Sequence, residues 1–234
     1  MRVAIVENTH VTHHGQVGVA LHEAGAKIDL YKPFAGQPLP TDASGHDALV
    51  VFGGEQSALD DATHPYLPAL ATLMAAYSRA DKAVLGICLG AQVLARAFGA
   101  QNHLGTAPEF GWQEVRLSEA GRTDPLLAAL PPAFPIFQWH SDTFTLPEGA
   151  VHLATSDVAG VQGFRLGRAT YGMQFHFEAN RNVVADWART FPEAVERQEA
   201  GFAAHLPALA GTLGAQADAA GLAIARAWVA LVEG

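Results

Sequence analysis

The chain has 234 residues, and half are apolar, which suffices for a large buried core and argues against a disordered chain. Charged residues are few, and 14 basic against 23 acidic side chains leave a formal charge of −9, a surface that repels a phosphate backbone and excludes general nucleic-acid binding. The single cysteine, Cys88, excludes an internal disulfide framework and a multi-cysteine zinc site, and no uninterrupted apolar run reaches the roughly 18 residues of a membrane-spanning helix. The apolar stretch after Met1 and Arg2 is too short for a signal peptide and reads as a first strand. The expected setting is the cytoplasm, with no membrane partner.

Val3–Val6 is a compact apolar run of the kind a buried parallel strand gives. Gln16–Ala24 reads as a helix closed by Gly25, Lys27–Tyr31 as a second strand, and Pro33–Gly45, rich in Pro and Gly, as a loop. Ala48–Phe52 is a strand ended by Gly53-Gly54. Pro65–Arg79 carries Leu67, Leu70, Leu73, Met74 and Tyr77 at helical spacing. Ala83–Ile87 is a strand that runs into Cys88 and a helix continuing to about Phe98. In the second half, Trp112–Leu117, Pro135–Gln138, Val151–Ala154, Val161–Leu166 and Thr170–Phe175 read as strands, and the short Gly167-Arg168 turn makes a hairpin of the last two. Helices return from about Asn182. The expected fold is α/β: a mostly parallel open sheet with helices on both faces, an antiparallel hairpin extension and a helical C-terminal tail. No repeat or long linker divides the chain, so residues 1–234 are expected to form a single domain, with about 182–234 as a helical extension.

The most informative stretch is Gly86-Ile87-Cys88-Leu89-Gly90-Ala91-Gln92. Glycines two residues before and after a cysteine, where a strand ends and a helix begins, give the spacing of a nucleophile elbow. The cysteine would stand at a helix N-terminus, where partial positive charge favours thiolate. A base is then required. In Gly172-Met173-Gln174-Phe175-His176-Phe177-Glu178, His176 closes a strand and Glu178 follows on the same face, since residues i and i+2 of extended chain point the same way. The carboxylate can fix the imidazole tautomer and leave the other ring nitrogen for the thiol. Phe177 would point into apolar packing. Gly53-Gly54 allows close backbone approach to a substrate, with N–H groups turned toward developing negative charge, and the Leu89 N–H would point inward from the elbow.

Together these segments resemble the class I glutamine amidotransferases, most closely the glutaminase module of GMP synthase and stand-alone proteins similar to it. The family's Gly-Gly-Pro turn, Gly-x-Cys-x-Gly-x-Gln elbow and Gln-Phe-His-Pro-Glu segment occur here in order as Gly53-Gly54-Glu55, Gly86 to Gln92 and Gln174 to Glu178. Glu109-Phe110-Gly111-Trp112 and Gln138-Trp139-His140-Ser141-Asp142 also fit the stand-alone branch. The resemblance spans about 47–178 and is absent from the tail. It implies Cys88 as nucleophile, His176 as base, Glu178 as orienter, the N–H groups of Gly54 and Leu89 as oxyanion hole, and Gln92 with the His140, Ser141 and Asp142 loop as substrate-binding residues. The implied reaction is hydrolysis of the glutamine side-chain amide through a γ-glutamyl thioester, without metal or other cofactor. The implied partners are glutamine or a γ-glutamyl compound and an ammonia-accepting synthetase. Two prolines of the family pattern are replaced, by Glu55 and Phe177.

Two alternatives stand beside this reading: a γ-glutamyl peptidase or hydrolase using the same triad, and a non-catalytic protein with a regulatory or binding role. By the spacing argument alone, His140 with Asp142 two residues on is a second candidate base, and the resemblance is what assigns it to the substrate loop. His10, His13 and His14 follow the first strand with no standard zinc spacing and read as a solvated loop.

Overall fold

The computed structural model describes residues 1–233. Its first half alternates strand and helix: β1 (Arg2–Val6), α1 (Gly15–Glu23), β2 (Lys27–Tyr31), β3 (Ala48–Val51), α2 (Leu67–Arg79), β4 (Ala83–Ile87) and α3 (Leu89–Ala97). The second half is strand-rich: β5 (Asn102–His103), β6 (Glu109–Leu117), β7 (Ala133–His140), β8 (Thr143–Phe144), β9 (Val151–Thr155), β10 (Gly163–Leu166) and β11 (Thr170–Met173). Four helices close the chain: α4 (Arg181–Thr190), α5 (Pro192–Gln198), α6 (Phe202–Leu209) and α7 (Ala215–Glu233), the last two joined by a π-helical segment, Ala210–Gly214.

Nine strands form one sheet in the order β2-β1-β3-β4-β11-β10-β9-β6-β7. The run from β2 to β11 is parallel, and every pairing beyond β11 is antiparallel. The expected hairpin is thus the inner edge of a four-strand antiparallel extension. Period-two alternation sorts the central side chains to opposite faces. Val3, Ile5, Val50, Leu85 and Ile87 pack with Val17 and Leu21 of α1 and Ile224 and Trp228 of α7. Ala4, Val6, Leu49, Val51 and Val84 pack with Leu70, Met74 and Tyr77 of α2 and Val93 and Leu94 of α3.

Three elements depart from the sequence reading. β6 and β7 pair along their whole length, from Glu109↔His140 to Arg116↔Ala133, so both are longer than their apolar cores suggest. Pro135 is tolerated because β7 is the last strand of the sheet and needs no N–H on its free side. β11 stops at Met173, not Phe175. There the Gln174 N–H donates to Gln162 O and the His176 N–H to Phe137 O, which carries the backbone out of the β4 ladder toward β7.

The tail packs against both halves. By length and composition alone, the helical run Phe202–Val232 would suffice to cross a bilayer, which differs from the sequence expectation. Its Phe202, Ala217, Ile224, Ala225 and Trp228 are buried in the protein core. Arg226 clasps Glu23 of α1 through two bonds of 2.7 Å, and Asp218 receives the N–H and Nε of Arg181 at the start of α4. α7 comes so close to the turn after β11 that a Cβ at Gly221 would stand 2.1 Å from the Phe177 carbonyl oxygen.

Candidate active site

The carboxyl ends of β1, β3, β4 and β11 converge on one edge of the sheet, where open α/β sheets place their ligands. Cys88 lies between β4 and α3 with φ +51° and ψ −109°, a conformation that costs a non-glycine residue about 1–3 kcal/mol and must be held by its surroundings. Two hydrogen bonds hold it: the Cys88 N–H donates to Met173 O at 2.8 Å, and its carbonyl accepts from the Gln92 N–H at 3.0 Å. The turn also requires Gly90, where a Cβ would lie 2.1 Å from Val51 O of β3.

His176 and Glu178 stand beside it. His176 Nδ1 is 2.7 Å from Glu178 Oε1, and both side chains are buried. Burial opposes a charge on the ring, but the negative charges of Glu178 and Cys88 and hydrogen bonds to both outweigh it, holding the His176 pKa well above the ordinary imidazole value. A Cβ built on Gly53 would lie 3.1 Å from His176 Cε1 and 3.5 Å from Cys88 Cβ, so both side chains converge on that glycine. Phe177 points into the core beside Phe175, as its position between the two polar residues requires. The Glu178 carbonyl accepts from the Gln16 N–H at 2.9 Å and packs against Gly15. Gly15 has φ +46°, and a Cβ there would lie 1.8 Å from the Glu178 oxygen, so α1 can start here only from glycine.

Gly54 and Leu89 are neighbours. A Cβ at Gly54 would lie 2.9 Å from Leu89 Cδ2, and neither backbone N–H finds a partner among the described residues. With Glu55 exposed in place of proline, the turn is fixed by side chains instead. Gln56 Nε2 donates to Asn8 O at 3.1 Å and to Tyr66 Oη at 2.5 Å, Tyr66 Oη donates to Asn8 Oδ1, and Asn8 Nδ2 donates to Phe52 O at 2.8 Å. Burial pushes the Tyr66 phenol pKa up, against the lowering effect of Gln56, and keeps it a donor. No residue spacing signals this lock, because its members come from separate parts of the chain, after β1, after β3 and at the start of α2.

Gln92 is buried, with Nε2 donating to Gln174 Oε1 at 3.2 Å and to Asp142 O at 3.4 Å. His140 Nδ1 faces Asp142 O at 3.0 Å, and its Nε2 lies 3.3 Å from Glu109 Oε2. The carboxylate partner of His140 is therefore Glu109, its register neighbour on β6, and not the Asp142 side chain, which accepts from the Gly105 N–H. Ser156 and Gln162 also donate to Glu109, which commits the His140 ring to a buried network away from Cys88.

The histidines after β1 depart from the solvated loop of the sequence reading. His14 stacks on Phe52 and meets Glu7 at 2.9 Å, while His13 meets Asp186 of α4 at 2.8 Å. Among the described residues, no three His, Cys, Asp or Glu side chains are placed to hold a metal ion. Cys88, His176, Glu178, Gln92, Gly54 and the 140–142 loop border one cavity of about 480 Å³. The cavity's far wall was not legible in the sequence: Trp139, Trp187, Phe191 and Arg197, three of them from the α4–α5 region.

A strained cysteine at a strand–helix turn, an imidazole–carboxylate pair and two free N–H groups suit acyl transfer through a covalent intermediate. A family model described as "Glutamine amidotransferase class-I" matches residues 13–185. The chain is 33% identical over 181 residues to the glutamine amidotransferase-like protein YfeJ of Salmonella typhimurium, covering 76% of each sequence. It is 28% identical over 181 residues to the A chain of the glutamine-hydrolyzing GMP synthase of Methanosarcina acetivorans, covering 75% of this chain and 89% of that one. A crystal structure of a glutamine amidotransferase from Thermotoga maritima superposes with a TM-score of 0.88 at 25% identity, over 100% of this chain and 99% of that one.

Proposed function

The chain belongs to the class-I glutamine amidotransferase family, and from that premise we propose that it hydrolyses the side-chain amide of glutamine through a γ-glutamyl thioester on Cys88. The observation that carries this reading is the convergence of the strained Cys88 with the 2.7 Å His176–Glu178 pair in one cavity. His176 receives the sulfur's proton and holds it, helped by Glu178. The Cys88 sulfur then bonds to the γ-carbon, and the N–H groups of Gly54 and Leu89 take the charge that develops on oxygen. The C–N bond breaks, and the proton on His176 passes to the departing nitrogen, which leaves as ammonia. Water activated by His176 cleaves the thioester and returns the thiol with glutamate. Gln92 and the His140–Asp142 loop hold the amino-acid end. Ammonia set free in this way needs an acceptor, and a synthetase is the partner class we infer.

Incubation with a glutamine-derived diazoketone is expected to modify Cys88 alone, found as one adduct by peptide mass spectrometry, and glutamine is expected to protect. Labelling elsewhere, or undiminished turnover by Cys88→Ala, removes the catalytic reading.

The Asn8–Gln56–Tyr66 lock gives a second expectation. Gln56→Ala deletes two hydrogen bonds that fix the oxyanion turn, each worth about 1 kcal/mol. It should lower kcat on glutamine about tenfold, with a smaller effect on KM, because the turn matters most when negative charge develops. Steady-state kinetics with circular dichroism as a folding control decide it.

A further inference from the structure

Ammonia is a small polar leaving group, and nothing in the far wall of the cavity serves it. His176 must hand its proton to the departing nitrogen, so whatever that nitrogen carries extends toward the side of the cavity that His176 faces. That side is aromatic. Trp187 meets the His176 ring edge-on, with centroids 5.2 Å apart. Trp139 lies 5.8 Å from Trp187 and 6.0 Å from Phe191, and all three rings are part-exposed and border the cavity. Arg197, one turn and a half beyond Phe191, stands exposed at the rim. It makes no hydrogen bond or ion pair among the described residues, although Glu193 precedes it by one turn of α5. Arg226 and Arg189, by contrast, each hold a carboxylate. The cavity, at about 480 Å³, falls among those that take drug-sized ligands, roughly 300–1,000 Å³, and exceeds what a free amino acid fills. Trp187, Phe191 and Arg197 lie beyond residue 185, where the match to the family model ends.

We propose that Trp139, Trp187 and Phe191, with Arg197 at the rim, form a leaving-group subsite, and that the site accepts γ-glutamyl amino acids with an aromatic side chain and a free carboxylate. The inference rests on the thioester reading given above. The steps balance in the same way: the Cys88 sulfur bonds to the γ-carbon, the C–N bond breaks, and the proton on His176 passes to the amine. The aromatic amino acid leaves whole, and water releases glutamate. The ring stacks against the tryptophans, an arrangement that favours aromatic partners beyond their buried area. The carboxylate accepts from the Arg197 guanidinium, whose planar fork suits that group.

The test compares glutamine, γ-glutamyl-phenylalanine and γ-glutamyl-phenethylamide, which keeps the ring and lacks the carboxylate, by glutamate release from the full chain. The phenylalanine compound should exceed the phenethylamide in kcat/KM by about tenfold or more, the scale of one charge-assisted hydrogen bond. Arg197→Ala should bring that ratio close to one, and Arg197→Lys should restore part of it. Because the readout is a ratio on one protein, partial misfolding does not move it. Turnover of glutamine without turnover of γ-glutamyl-phenylalanine overturns the subsite and leaves the glutaminase reading standing. A ratio untouched by Arg197→Ala overturns the role of Arg197 and with it the proposed class. Failure to cleave any of the three overturns the thioester reading itself.

Discussion

Replacing His176 with alanine is expected to lower kcat on glutamine by several orders of magnitude, on the order of 10³ or more, while the protein stays folded. The imidazole must hold the sulfur's proton during attack and deliver it to the leaving nitrogen, and no other ring nitrogen is placed to do so. His140 is the rival by sequence spacing, yet its Nδ1 faces Asp142 O and its Nε2 faces Glu109. Glu178→Gln should cost less, since an amide can keep the ring in place through its oxygen. The pH profile separates the two roles. The His176 pKa is raised, so the imidazolium survives through neutral pH, and the limb of activity that needs it should fall on the alkaline side rather than near 6.5. Glu178→Gln removes one of the raising causes and should move that limb to lower pH. A raised histidine also contributes stability that is complete below its unfolded value and lost as pH rises through the folded one, so the wild type should lose that part of its stability in the same alkaline range. Near-normal kcat in His176→Ala together with its loss in His140→Ala would reassign the base.

Gly90→Val is expected to destroy the site by destroying its backbone. The nearest atom to the added Cβ is the Val51 carbonyl oxygen, at 2.1 Å, with the Val51 carbonyl carbon at 2.9 Å. Neither belongs to a flexible side chain, and both sit in the β3–β4 ladder. Relief would require α3 to lift from the sheet, which carries Leu89 and the Cys88 turn with it. Overpacking of this kind costs about 3 kcal/mol or more. For a chain of this length that is a Tm drop on the order of 10 °C. Thermal melting and glutamine turnover measure it, and a variant with unchanged Tm and full activity would show that no elbow exists at Cys88.

What could be read from the sequence was whatever is written locally. The buried runs Val3–Val6, Ala48–Val51 and Ala83–Ile87 announce themselves as strands because they are apolar on both faces. The elbow announces itself because a sharp turn needs small residues at fixed offsets from Cys88. The His176–Glu178 pair was legible because its members are two residues apart, even though the strand ends before them. What stayed hidden is held by pairing over long separations. The Glu109–His140 partnership depends on the β6–β7 register, and the lock on the oxyanion turn joins Asn8, Gln56 and Tyr66 from three parts of the chain. The aromatic wall comes from helices packed after the last strand, whose Trp and Phe read equally well as core.

The turn that carries His176 and Glu178 is gripped by the two ends of the polypeptide. Gly15 and the Gln16 N–H hold the Glu178 carbonyl, Gly221 admits the Phe177 carbonyl, and Gln16 Nε2 reaches on to Asp218 O. The last helix is therefore a strut, and its seating is thermodynamically linked to the placement of the base. Any opening that peels α7 from α1 slackens the histidine before it disturbs the sheet, so on heating, turnover should vanish at a lower temperature than strand structure. Amides of α7 should then exchange with solvent by the same opening event that silences the enzyme.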